Sequence, residues 1–346
     1  MTLTGGPDTK LELKNGWTSK MILNNFILFG AANSVDNFGM NSLSIDFNGT
    51  QNDLKTPSGH NKNAALYLLK CSHITVQNVK VLNNPGQQSL SIGSTDKNGN
   101  FLATDIKING CSFINNTDAF PGNKQNDHSS IYLVADKAIV TKNNFVSGDK
   151  ISKVATAIEA HTSNSVFSYN TITNYSTGIN IVAIVGDQVN SSFDHNTITN
   201  VNSAFVFWGN GGYRMAGIKL LNNNITQAYS NDPIIRMSKT MKIYCLGLEI
   251  MGNSFTGKGN VNTKSAITGL VGNCIEIGLV KDVLIRDNKF NNINGRAVTL
   301  VNQGFKMNRI AILNNTFDNI NVGGNPRYNK IIQLKSSGEI DSISIE

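Results

Sequence analysis

One short pattern, asparagine–any–apolar–any–asparagine, returns along this chain at nearly constant intervals, and such regularity is the mark of a stack of equivalent coils. It stands as Asn143-x-Phe145, Asn170-x-Ile172-x-Asn174, Asn196-x-Ile198-x-Asn200, Asn223-x-Ile225, Asn253-x-Phe255, Asn288-x-Phe290-x-Asn292 and Asn315-x-Phe317-x-Asn319. Two earlier copies, Val79-x-Val81-x-Asn83 and Cys111-x-Phe113-x-Asn115, replace the first asparagine. Successive copies lie 32, 32, 27, 26, 27, 30, 35 and 27 residues apart. A coil of three strands and three bends needs a length in the upper twenties, so each step is one turn of a solenoid and the longer steps carry loops.

The strands are legible too. Most copies follow a stretch of period two, such as Ile74/Val76, Ile106/Ile108, Leu248/Ile250, Val283/Ile285 and Ile310/Ile312. A second strand stands earlier in each coil: Ile131/Leu133, Ile158/Ala160, Ile179/Ile181, Phe205/Phe207, Ile235/Met237, Ile275/Ile277 and Val298/Leu300. Alternate residues of a strand point to opposite sides, so these apolar pairs face inward and stack on their counterparts about 4.8 Å away in the next coil. The 51 asparagines agree with this reading. Asparagine disfavours helices, tolerates tight bends and, stacked in register, forms amide ladders. A propeller would need four strands per repeat, and a leucine-rich repeat would need a leucine spacing that is absent. The predicted fold is an all-β, right-handed parallel β-helix of about a dozen coils. With only six prolines and no Gly/Ser linker, residues 1–346 are read as a single domain. Its last strand, Ile340, Ile343 and Ile345, stops where another asparagine motif is due, so the chain is expected to be a piece ending mid-coil.

Bulk properties narrow the functional classes. No run reaches the roughly 20 apolar residues of a membrane span, and no membrane insertion is expected. Residues 1–6 carry no basic n-region or apolar h-region, so no secretory leader is expected. Four cysteines make no disulfide framework. Cys111 and Cys274 fall in apolar strand patterns and are read as buried free thiols of a chain folded in a reducing compartment. The net charge is +7. The basic residues form no stripe with interleaved aromatics, which argues against nucleic acid. An acidic glycan suits that charge better.

The opening coil, residues 26–30 and 43–49, followed by the asparagine coils through Phe317, resembles the pectin-lyase-like β-helices, and among them the bacteriophage tailspike depolymerases. The resemblance covers nearly the whole chain, but it is one of fold, and one fold hosts many chemistries. It implies a homotrimer on a phage tail, folded in the host cytoplasm and acting outside it. It further implies endo-cleavage of a bacterial capsular or surface polysaccharide by carboxylates on a flank or between subunits. Asn116-Thr117-Asp118 resembles a polygalacturonase tripeptide, but that family's Asp-Asp, Gly-His-Gly and Arg-x-Lys partners are missing.

Candidate site residues follow from the alternation. If the second strand turns its apolar residues inward, the residues between them form outward columns. One column is Tyr132, Glu159, Asn180, Val206, Arg236, Glu276, Thr299 and Gln333; its neighbour is Val134, His161, Val182, Trp208, Ser238, Gly278, Val301 and Lys335. Both columns are expected to face solvent. Glycan hydrolysis needs two carboxyl groups. Glu159 is the first choice for the acid, with Asp127 and Asp187 as loop partners. His161 and His128 are candidates for substrate contact or proton relay. Trp208, Tyr213 and Arg214, around a glycine-rich stretch, suit sugar stacking and forked hydrogen bonding. Arg236 is added as a binding residue, though it could simply pair with Glu276 on the next coil. His195 is read as a turn residue. No cluster with metal-ligand spacing is visible, and no cofactor or metal is expected. The expected activity is therefore an endo-acting glycoside hydrolase. A polysaccharide lyase on the same fold and a non-catalytic glycan-binding adhesin are the alternatives.

Overall fold

The computed structural model describes residues 1–6, 8–16, 25–49, 62–84, 86–116, 129–152, 154–228, 232–238, 240–258, 273–302, 306–322, 330–336 and 340–346. Among them every regular element is a β-strand, and every strand pairing is parallel. This is the all-β parallel β-helix the repeat predicts. The chain divides into two compact units, Met1–Ile179 and Asn180–Glu346.

In the first unit the motif strands Lys10–Glu12, Ser44–Asp46, Lys80–Leu82, Ser112–Ile114, Asn144–Val146 and Thr171–Thr173 stack in register. In the second the stack is Thr197–Val201, Asn224–Gln227, Ser254–Thr256, Lys289–Ile293 and Thr316–Ile320. The central apolar residue enters the core in every one of these strands except Lys10–Glu12, where Leu11 is exposed, and Thr316–Ile320, where Phe317 is half-buried. Phe113 lies flat on Phe145 in the first unit, with ring centroids 4.8 Å apart. In the second, Phe255, Phe290 and Phe317 follow one another at 5.1 and 5.2 Å. Parallel strands in register impose this spacing, so aromatic side chains at one position stack by default.

The two asparagines of the motif have different jobs. The first forms the ladder, buried from Asn143 to Asn288 and half-buried at Asn315. Asn223 Nδ2 donates to Asn253 Oδ1 at 2.9 Å, Asn253 Nδ2 to Asn288 Oδ1 at 3.0 Å, and Asn288 Nδ2 to Asn315 Oδ1 at 2.9 Å. In the first unit Asn143 Nδ2 reaches Asn170 Oδ1 at 2.9 Å. The second asparagine makes a bend: Asn83, Asn115 and Asn174 in one unit, and Asn200, Asn292 and Asn319 in the other, have φ between 50 and 66°. Only glycine adopts this left-handed region more readily. The residue just before each ladder asparagine is left-handed as well, which places His195 (φ 52°) in a bend as expected.

Where Cys111 replaces a ladder asparagine, its backbone N–H still meets Asn143 Oδ1, at 2.9 Å, and its thiol lies 3.5 Å from the carbonyls of Val76 and Asn109. All four cysteines are free and buried. Burial pushes the thiols of Cys71 and Cys245 up to about 12 and that of Cys111 to about 11; Cys274 is raised by burial too. Thiolate is the reactive form. A thiol reagent at neutral pH should therefore label none of the four in the native chain and all four after denaturation. Rapid native labelling counted by intact mass would show that these coils open.

Candidate functional site

In the first unit, strands Ser129–Thr141 and Thr156–Ser163 pair so that Ile131 meets Ile158, Tyr132 meets Glu159, Leu133 meets Ala160 and Val134 meets His161. Ile131, Leu133, Ile158 and Ala160 are fully buried in the core, which turns the intervening residues outward. The alternation thus holds, but the expectation of a solvated column does not. Glu159 is only 7% exposed and His161 only 1%. Val134, Val182, Val206 and Thr299 in the same two columns are buried as well. In the first unit the cover is partly visible: the Tyr132 ring lies diagonally across His161, with centroids 4.9 Å apart and planes tilted by 48°.

Beneath that ring His161 Nε2 is 3.0 Å from Glu159 Oε1. With Glu159 Oε1 as the acceptor, Nε2 carries a proton toward it and Nδ1 of the ring is left as an acceptor. Nδ1 is itself buried and has no hydrogen-bond partner among the described residues. Buried polar atoms are nearly always paired, so one that is not calls for an explanation. A carboxyl group, an imidazole and a phenol have thus been brought together on the outer side of the sheet. The set can hold and pass a proton.

In the second unit the structure ties Asp187 to Arg214. The Arg214 backbone N–H donates to Asp187 Oδ1 at 2.9 Å, and its Nε donates to Oδ2 at 2.8 Å. Two residues predicted for different roles are therefore paired, the Arg214 side chain as a whole remaining 75% exposed. Trp208, on strand Ser203–Gly209, is 41% exposed between the fully buried Phe207 and the glycine-rich turn. Tyr213 in that turn is half-buried. Val206, Arg236, Glu276, Thr299 and Gln333 fall in one register line, as the spacing predicts. Arg236 Nε donates to Ser203 Oγ at 3.2 Å, and Glu276 Oε2 accepts from Asn273 Nδ2 at 2.9 Å.

Asp127 and His128 lie outside the described residues, as do Thr117 and Asp118 of the polygalacturonase-like tripeptide. Tyr132 was placed in a column by the sequence but not in the site; its neighbour in register, Glu159, was the available signal. Among the described residues no group of three or more His, Cys, Asp and Glu is arranged to hold a metal ion, and no helix is long and apolar enough to cross a membrane. A separate exposed cluster surrounds His73, whose Nδ1 is 2.8 Å from Asp36 Oδ1, which also accepts from Ser72 Oγ at 2.6 Å. The Asp36 carboxyl, held mainly by Ser72 and then His73, is depressed, and the His73 imidazole, paired with Asp36, is raised.

The fold and these outward strips define a class, the parallel β-helix with polar residues set along its flank. The solved structures it resembles are particular members of that class. The chain aligns with a tailspike protein mutant of E. coli bacteriophage HK620 at a TM-score of 0.61 and 13% identity, over 99% of this chain and 57% of that one. The tailspike protein of the same phage in complex with pentasaccharide aligns at 0.59 and 14%, over 99% and 58%. A further mutant, also with pentasaccharide, aligns at 0.60 and 10%, over 96% and 73%. The likeness is one of fold, and the chain spans less than two thirds of the length of the first two. No family model and no curated protein matches the sequence.

Proposed function

We propose that this chain is the glycan-binding β-helix of a phage tailspike and cleaves a bacterial surface polysaccharide from within, by hydrolysis, with Glu159 as the acid. The observation that carries the reading is the buried Glu159–His161 pair beneath Tyr132. A carboxyl group facing outward from a sheet gains nothing from burial unless something else uses it, because desolvating a polar group costs free energy. The fold it shares with pentasaccharide-bound tailspikes supplies the substrate class. In the proposed reaction Glu159, protonated on Oε2 while Oε1 accepts from His161, gives that proton to the glycosidic oxygen as the bond to the anomeric carbon breaks. Water adds to that carbon, and a second carboxylate takes the water's proton. Asp127 is proposed for that second role, since Asp187 has both oxygens engaged by Arg214. His161 orients Glu159, and Tyr132 lines the approach. Assembly as a homotrimer on the phage tail belongs to the same reading.

Two measurements test it. Mass spectrometry of polysaccharide incubated with the chain should show fragments whose new ends have gained water. Unsaturated ends would make it a lyase, and intact polymer retained on the protein would make it a binder. Light scattering should give three times the 37.5 kDa of one chain. A mass of one chain would remove any site shared between subunits.

A further inference from the structure

We infer that the outer face of the second unit is a saccharide subsite selective for a neutral sugar, with Trp208 as its stacking wall and Arg236, Glu276 and Thr299 as its polar strip. The inference rests on the glycan-binding reading above and adds a second location and a substrate class to it.

The rungs here are fixed by register: Val206 pairs with Arg236, Arg236 with Glu276, Glu276 with Thr299, and Thr299 with Gln333. Neighbouring parallel strands are about 4.8 Å apart, so the line spans roughly 19 Å and is long enough for several sugar rings. Beside it runs a line of small residues. Ser238 follows strand Ile235–Met237, and Gly278 follows Ile275–Ile277. A Cβ on Gly278 would lie 2.2 Å from the Val301 carbonyl oxygen, so no side chain can stand at that rung. An exposed indole beside rungs that carry only a serine and a glycine is what an apolar sugar face needs for stacking.

The polar strip completes the argument. Thr299 is 1% exposed, yet its hydroxyl has no hydrogen-bond partner among the described residues; the Gln333 Oε1 is in the same condition. Glu276 Oε2 accepts from Asn273 Nδ2, and Arg236 Nε donates to Ser203 Oγ, which holds both side chains in place. A guanidinium donor one rung from a carboxylate acceptor matches a pair of adjacent hydroxyls, one accepting and one donating. A uronate would instead bring its charge against Glu276, and like charges brought together in a partly desolvated strip are rejected. The net charge of +7 alone pointed the other way, toward an acidic glycan. A local carboxylate acts at contact distance, where bulk charge is screened by salt.

The experiment uses the full chain on an array of bacterial polysaccharides of known composition, both neutral and uronate-containing, followed by titration of the bound ones. Tryptophan fluorescence reports binding, and Trp208→Phe assigns the signal against Trp17, the other of the two tryptophans. The expected result is retention of neutral polymers with a Trp208 fluorescence change. Thr299→Val, which breaks no hydrogen bond seen among the described residues, should weaken binding about tenfold and leave the melting temperature unchanged or raised. Glu276→Lys should lose the neutral ligand and gain uronate-containing ones. Retention of acidic polymers by the unaltered chain overturns the inference. So does neutral binding that Thr299→Val, Glu276→Lys and Trp208→Ala all leave intact, which would leave the glycan-binding function standing at another site. Binding of no polysaccharide at all overturns both.

Discussion

Glu159→Gln is expected to nearly silence cleavage while the coil it sits in stays folded. The amide has the shape of the carboxyl group, and its oxygen can still accept from His161 Nε2, which now lies 3.0 Å from Oε1. Stability should therefore change by no more than about 1 kcal/mol. What the amide cannot do is give a proton to a leaving oxygen. Loss of such a positioned acid lowers rates by roughly 10²–10⁴-fold. Polysaccharide binding should survive, since the surface presented to the glycan is unaltered. His161→Ala is a poorer probe, because removing a side chain that is 1% exposed leaves a cavity under Tyr132. His161→Gln keeps most of the volume and should reduce turnover less than Glu159→Gln. Near-normal turnover by Glu159→Gln on the natural polysaccharide would move the chemistry to another carboxylate, with Asp127 and Asp187 the next to substitute.

The largest loss of stability is expected from Asn253→Leu. Asn253 is 1% exposed, and its Oδ1 accepts from both the backbone N–H and Nδ2 of Asn223, each at 2.9 Å. Its own Nδ2 donates to the Leu220 carbonyl at 2.9 Å and to Asn288 Oδ1 at 3.0 Å. Leucine is of similar size but leaves buried donors and acceptors on both neighbouring rungs without partners. Each orphaned group costs about 1–3 kcal/mol, so a total of about 3–5 kcal/mol is expected. The second asparagine of a motif should behave quite differently. Asn319 is exposed with φ 50°, a conformation glycine accepts freely, so Asn319→Gly should be near neutral. Urea unfolding of the two variants checks the contrast. Equal effects from Asn253→Leu and Asn319→Gly would mean that the ladder is not what holds the rungs.

That contrast also marks how far the sequence could be read. The repeat gave the parallel pairing and even the register, since Tyr132 with Glu159 and Arg236 with Glu276 stand where the spacing put them. A period-two pattern says which side a residue faces, because backbone geometry decides that locally. It does not say whether that side is wet. Burial of Glu159 and His161 depends on a tyrosine one rung away lying diagonally over the imidazole, a matter of rotamers on separate strands. Nor could spacing show that Asp187 and Arg214, 27 residues apart, would pair with each other. The motif likewise hid two kinds of asparagine under one letter, since ladder and bend differ only in dihedral angle and burial.

The ladder also has a direction. In each unit the donors sit on the earlier rung and the acceptor on the later one: Asn143 gives to Asn170, Asn196 to Asn223, and Asn223 to Asn253. A ribosome delivers the chain in that same order. While a unit is being made, the newest complete rung therefore ends in buried-to-be N–H groups whose acceptor has not yet been synthesised. Each coil is a template with a vacancy for the next, and the arrival of the next asparagine both closes that vacancy and opens another. Growth of this kind runs one way, like a zip with its slider at the exit tunnel. A stall within either half should then leave a sticky rim of unmet amides rather than a finished smaller helix.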